Sequence, residues 1–183
     1  MTGLPTSQLT ITPENTMTEF TDKPTFLMRK AEKSDVPLIL DFIKKLAEYE
    51  RLSHEVVATE ADLEKHLFGE KQMAEVLLGY EGELPVGFAL FFHNFSTFLG
   101  KPGIYLEDLF VLESHRGRGY GKLLLASLAS LALERNCGRL EWAVLDWNEP
   151  SIEFYKSLGA RMMDEWIVNR MTGESLLKLA NSY

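Results

Sequence analysis

The segment from Gly103 to Leu125 constrains this chain more than any other. It reads Gly-Ile-Tyr-Leu-Glu-Asp-Leu-Phe-Val-Leu-Glu-Ser-His-Arg-Gly-Arg-Gly-Tyr-Gly-Lys-Leu-Leu-Leu. Ile104 to Leu112 is mostly apolar, with β-branched and aromatic residues, and predicts a buried strand. Glu107 and Asp108 interrupt that run, and a carboxylate pair inside a core strand needs a compensating reason. Arg116-Gly117-Arg118-Gly119-Tyr120-Gly121 then sets three alternating glycines among basic residues. From Tyr120 the pattern is helical, with Leu124, Leu128, Leu131 and Ala132 on one face.

Strand, glycine loop and helix together suit an anion. Glycines let successive backbone N–H groups turn inward with no Cβ in the way. The helix start adds unpaired donors and the positive end of the macrodipole, which fits a phosphate or pyrophosphate. Two familiar phosphate loops are excluded. A Walker loop requires Gly-x-x-x-x-Gly-Lys-Ser/Thr, but Leu123 follows Gly121-Lys122 and Arg116 stands where the first glycine belongs. A dinucleotide fingerprint requires Gly-x-Gly-x-x-Gly, but the third glycine would fall on Lys122 or Leu124. The pattern that fits is Arg-x-x-Gly-x-Gly, as Arg116, Gly119 and Gly121.

This segment resembles the acetyl-CoA pyrophosphate loop of the GCN5-related N-acetyltransferases (GNAT). A second constellation carries the same likeness: Asp146-Trp147-Asn148-Glu149-Pro150-Ser151, then Phe154-Tyr155 and Leu158-Gly159-Ala160. Asn-x-x-Ser followed by a Phe-Tyr pair and Leu-Gly-Ala is that family's other hallmark. Leu46–Glu50, Tyr105–Val111 and Ala143–Tyr155 look more narrowly like the diamine acetyltransferases, the spermidine/spermine enzymes and their thialysine-acetylating relatives. The resemblance spans Leu27 to Ala180.

What the resemblance implies is transfer of acetyl from acetyl-CoA to a primary amine, by direct attack in a ternary complex. An alkylammonium near pKa ~10 must lose a proton before it attacks, and a carboxylate close to the thioester takes it. Glu107 holds the family's base position. Adjacent strand residues point to opposite faces, so Asp108 cannot line the cleft in the same way. Tyr155 is the family's acid for the departing thiolate. The likeness further assigns coenzyme contacts to Leu109, Phe110, Val111, Arg116, Gly117, Arg118, Gly119, Tyr120, Gly121, Lys122, Asn148, Ser151 and Tyr155. The backbone N–H groups of 109–111 would face the developing oxyanion. Substrate contacts fall on Tyr49, Glu50, Phe98, Glu107 and Asp108. Polyamine-specific members carry an Asp and a Trp before the central strand. Here Asn94–Gly100 lacks the acid and has Phe98 in place of the Trp, which weakens a second ammonium site. The Ser-Thr pair at 96–97 and Ala143–Asn148 look closer to the thialysine branch. A homodimer is implied by the family. Two readings of other classes stay open: a non-catalytic acyl-CoA-binding module, and a peptide or protein N-acetyltransferase.

Composition narrows the setting. At 183 residues the chain suits one domain, or one domain and a tail. The net charge of −8 argues against non-specific nucleic-acid binding, which needs a basic footprint. Residues 41–83 hold eleven acidic and five basic side chains, a field that suits a cationic substrate. No apolar stretch approaches the roughly 18 residues of a transmembrane helix, so no membrane partner is expected. Cys137 is the single cysteine, which rules out an intrachain disulfide and points to a reducing, cytoplasmic setting. His54, His66, His93 and His115 show no metal-ligand spacing, so no metal is expected.

Residues 1–24 are rich in Thr, Pro, Ser and Asn without periodicity and read as a poorly ordered tail, leaving 25–183 as one GNAT domain. Along it the patterns predict strands at 25–29, 73–80, 85–93, 104–112, 139–146 and 161–170. Helices are predicted from Ser34 to Tyr49, Thr59 to Phe68, Tyr120 to Asn136, Pro150 to Leu158 and Gly173 to Ala180. The expected fold is α/β (mixed α+β): a central, mixed, twisted sheet of about six to seven strands with helices on both faces. The strands at 104–112 and 139–146, joined by a helix, should run parallel.

Overall fold

The computed structural model describes residues 26–182, so the predicted tail at 1–24 lies outside the described residues. These residues fall into two compact units divided after Ala143. The first holds strands β1 (Phe26–Lys30), β2 (Glu75–Glu81), β3 (Leu84–Ser96), β4 (Lys101–Val111) and β5 (Leu140–Trp142), with helices α1 (Val36–Tyr49), α2 (Glu60–Phe68) and α3 (Tyr120–Glu134). The second holds α4 (Glu149–Ser157) and α5 (Gly173–Ala180).

The sheet order is β1-β2-β3-β4-β5. The first three pairings are antiparallel; β2–β3 and β3–β4 are joined by short turns, whereas α1 and α2 lie between β1 and β2. The crossover through α3 makes β5 parallel to β4, as predicted. Strand alternation sorts the apolar side chains onto two faces. On one face Val76, Leu78, Phe88 and Phe110 pack with Ile39, Phe42 and Leu46 of α1 and Leu67 of α2. Phe42 stacks on Phe88 with centroids 5.5 Å apart. On the other face Tyr120 of α3 stacks on Phe26 at 4.3 Å, and Ser127 Oγ lies 3.4 Å from Met28 Sδ. Leu124 and Leu128 are fully buried there. Helices therefore flank the mixed sheet on both faces.

Local chemistry explains the helix limits. Thr59 and Asp62 form a capping box at the start of α2. Pro37 enters α1 in its first turn, where its missing N–H costs nothing. Arg29 on β1 grips Asp35, just before α1, through two hydrogen bonds of 2.6 and 2.8 Å, and donates to Tyr80 Oη at 2.7 Å. Arg135, at the end of α3, pairs with Glu75 at the start of β2.

The sheet has five strands among the described residues, not six to seven. The predicted strand at 161–170 is a turn and irregular chain. All ten of its side chains are exposed, so no face of it is buried, and among the described residues no strand pairs with it. A lone extended segment leaves its backbone groups without a ladder, and apolar β-propensity alone does not replace that pairing. The 139–146 strand is likewise shortened to Leu140–Trp142.

Phe42 is 1% exposed at the centre of the first core. Phe42→Ala should cost about 3–5 kcal/mol of unfolding free energy, read from chemical denaturation.

Candidate active site

The two acids of β4 sit at a break in register. Leu106 lies opposite Phe91 and Asp108 opposite Leu90, which leaves Glu107 as an extra residue. This is a β-bulge, and it interrupts the strict alternation expected for adjacent side chains. Asp108 shares its face with Phe88 and Phe110 and is half-buried, whereas Glu107 is exposed. Burial, then the charges of Glu107 and Glu50, push the Asp108 carboxyl up to about 7. Glu50 follows α1 directly, and burial raises its carboxyl as well. Three carboxylates from β4 and the end of α1 thus share one field. The next residue, Arg51, has φ 63, a strained conformation for a non-glycine.

The parallel ladder with β5 ends at Leu106–Trp142, immediately before the bulge. The β5-facing edge of 107–111 therefore has no strand partner among the described residues. Leu109, Phe110 and Val111 pair on their other edge with Ala89, Phe88 and Gly87. Two bends of the glycine loop follow. Gly117 and Gly119 have φ of 76 and 89, a left-handed region that disfavours side chains. Gly119 is the N-cap of α3 and offers no side-chain cap, so the first N–H donors of that helix are open to an anion. Gly121 lies in the first turn of the helix, beside exposed Lys122.

The basic side chains of the loop are already engaged. Arg116 Nε donates to the Val111 carbonyl at 3.1 Å. Its guanidinium lies 4.3 Å from the Tyr49 ring centroid and 5.7 Å from that of Phe110. A residue predicted only for the coenzyme therefore also ties the loop to the end of α1. Arg118 and Tyr120 both donate to Glu81 at the end of β2. Glu81 is not among the predicted site residues, and nothing near it in sequence signals this contact across 37 and 39 residues.

Phe98 is in the β3–β4 connection and 92% exposed. Lys101 begins β4, so the seven-residue run to Asp108 covers roughly 23 Å, and Phe98 is not gathered with the acids of its own chain. In the second unit, Asn148 caps α4, its Oδ1 accepting from Ser151 N at 3.4 Å. Ser151 and Tyr155 are one turn apart on that helix, and Asn148 and Tyr155 are both buried. Among the described residues, no cluster of His, Cys, Asp or Glu is arranged to hold a metal.

Left-handed glycines thus open an uncapped helix on a mixed α/β sheet, after a strand whose ladder to β5 stops at a bulge. The chain belongs to the Acetyltransferase (GNAT) family, which matches residues 41–160. It is 36% identical to the thialysine N-epsilon-acetyltransferase of Mus musculus over 84% of this chain and 96% of that protein. It is 34% identical to the L-ornithine N5-acetyltransferase of Arabidopsis thaliana over 81% of this chain and 85% of that protein. Among solved structures, an integron cassette protein from the mobile metagenome of V. cholerae superposes with TM-score 0.72 and 30% identity, over 85% of this chain and 98% of that one.

The raised Asp108 carboxyl predicts a pH-dependent stability. The folded chain keeps that proton up to about 7, while the unfolded chain releases it near the ordinary value of 3.8. Between those values the native state holds more protons, so stability falls as pH rises and levels off above pH ~7. Asp108→Asn removes this loss. Its melting temperature should exceed that of wild type by a margin that is smallest near pH 4 and grows to a plateau above pH ~7.

Proposed function

We propose that this chain transfers acetyl from acetyl-CoA to the primary amine of a small diamine, polyamine or thialysine-like substrate, by direct attack in a ternary complex. The observation that carries this reading is the acid cluster of Glu50, Glu107 and Asp108, on a face that the glycine loop reaches through Arg116 and Tyr49. An ammonium group entering that cluster meets carboxylates that are costly to keep charged while alone, and binding offsets that cost. The names of the mouse and Arabidopsis relatives point the same way, since both describe acetylation of a side-chain amine.

The residues present fit acetyl-CoA. Gly117 and Gly119 shape a donor-lined turn, the uncapped start of α3 suits its pyrophosphate, and the free edge of 107–111 suits an extended thioester arm. Bound there, acetyl-CoA supplies an activated acyl carbon. Tyr49, Glu50 and Asp108 hold the ammonium form of the acceptor. Glu107, exposed and close enough to bias Asp108, takes the proton directly or through water. The backbone N–H groups of 109–111 orient the acyl oxygen. Tyr155 protonates the departing thiolate. The family match crosses the boundary after Ala143, which supports reading 25–183 as one catalytic domain. A homodimer in the cytoplasm completes the reading; the first rests on family likeness, the second on the lone Cys137.

Thiol release from acetyl-CoA over thialysine, lysine, ornithine, putrescine, spermidine, spermine and a short peptide tests it. Turnover with a small amine is expected, lowered roughly 10²–10⁴-fold by Glu107→Gln and reduced by Tyr155→Phe. Turnover untouched by Glu107→Gln but lost in Asp108→Asn moves the proton to Asp108. Turnover of the peptide alone would indicate a peptide acetyltransferase. No turnover with any acceptor, while CoA still raises the melting temperature, would leave an acyl-CoA-binding module.

A further inference from the structure

The glycine loop carries its own restraint, built from a residue that the proposed reaction does not use. Glu81 ends β2, opposite Phe26 in the β1 ladder. Its carboxylate receives Arg118 Nη1 at 2.9 and 2.8 Å and the Tyr120 hydroxyl at 2.6 Å. His115 Nε2 lies 3.9 Å away. Arg118 and Tyr120 flank Gly119, and His115 precedes the loop, so one carboxylate gathers side chains from both sides of the left-handed turn.

The anchor is not a loose surface pair. The Glu81 side chain is 17% exposed. The Tyr120 ring is buried and stacks on Phe26, tilted by only 10°. Phe26 in turn lies against Gly79, where a Cβ would come within 2.6 Å of its ring. Tyr120 is thus held from its ring by the core and from its hydroxyl by Glu81. Arg118 is more exposed; its Nη1 donates to both Glu81 oxygens and its Nη2 to the Ser114 carbonyl at 3.3 Å.

Two flexible glycines make a turn that can face an anion, yet their freedom works against keeping it in that shape. A ligand that must order the loop loses affinity by the cost of ordering, and a loop ordered beforehand does not. An acid so near an anion site would be expected to repel the ligand. Here its charge is matched by Arg118, and the donors of the turn and of α3 remain backbone groups.

We propose that Glu81 is a positioning residue that preorganises the Arg116–Gly121 turn for coenzyme phosphates by clamping Arg118 and Tyr120. This rests on the reading of the loop as the acetyl-CoA site. Tyr120→Phe removes one of the clamp's bonds and keeps the Phe26 stack, so it stands beside Glu81→Gln in case either variant perturbs folding. Glu83→Gln, in the same turn but exposed, serves as the control.

Two measurements on the full chain decide it. Hydrogen exchange of the free protein reads the amides of 114–121. Titration calorimetry and steady-state kinetics read acetyl-CoA and amine separately. Faster loop exchange in both clamp variants is expected, with the Kd and KM for acetyl-CoA raised roughly five- to tenfold and the amine KM not following. Glu83→Gln should match wild type in exchange. Unchanged exchange in both clamp variants overturns the clamp. Faster exchange with unchanged acetyl-CoA affinity overturns its role in coenzyme binding. Tighter acetyl-CoA binding in Glu81→Gln would make Glu81 a competitor of the ligand and also overturn it. A wild-type chain that binds no acetyl-CoA defeats the underlying reading of the loop, and this proposal with it.

Discussion

One inserted residue in β4 underlies the arrangement of the site. Where β3 changes register between Leu90 and Phe91, β4 spends Leu106, Glu107 and Asp108 on a span that a regular ladder covers with two. The bulge brings two carboxylates to one bend, whereas a regular strand would send them to opposite faces. The parallel ladder to β5 also stops at this point, and among the described residues no strand pairs with the β4 edge that follows. The carboxylate pair and the end of the β5 ladder therefore fall at the same place in β4.

That arrangement works against stability. Asp108 lies on the face of the α1 core, beside Phe110, and near two other acids. Burial and the charges of Glu107 and Glu50 all disfavour its charged form, so the cost falls on the fold. Phe42, Phe88 and Phe110 supply the opposing term through aromatic burial on the same face. A cation bound beside these acids, as the proposed function requires, would offset part of that cost.

Opposite charge preferences are kept in adjacent places. The turn at 117–119 offers donors to an anion, while the end of α1 and the bulge offer acceptors to a cation. Arg116 stands between them, bonded to Val111 on one side and seated on Tyr49 on the other. A cation there links the two sites mechanically, and its interaction with the Tyr49 ring face satisfies it without cancelling the acids. Arg118 is restrained from the opposite direction by Glu81, so the two arginines of the loop anchor it to different elements of the sheet and helices.

Much of this was legible in the linear pattern, because the signals involved are local. Glycine spacing after an apolar run, the Thr59–Asp62 capping box and the apolar faces of α1 and α3 depend on residues within a turn of one another. Those elements appear where periodicity placed them, apart from shifts at their ends. The failures were non-local. The apolar run at 161–170 has strand composition but no buried face and no ladder, and pairing is a property of two segments. The bulge at Glu107 depends on how β3 registers against β4, which alternation within one strand cannot report. Glu81 meets Arg118 and Tyr120 only because β2 ends beside the start of α3. The sequence by itself determined the family, the strand–loop–helix unit and the identities of the acids. Tertiary structure alone decided which acid is buried and which arginine holds what, because desolvation and charge pairing depend on distance in space.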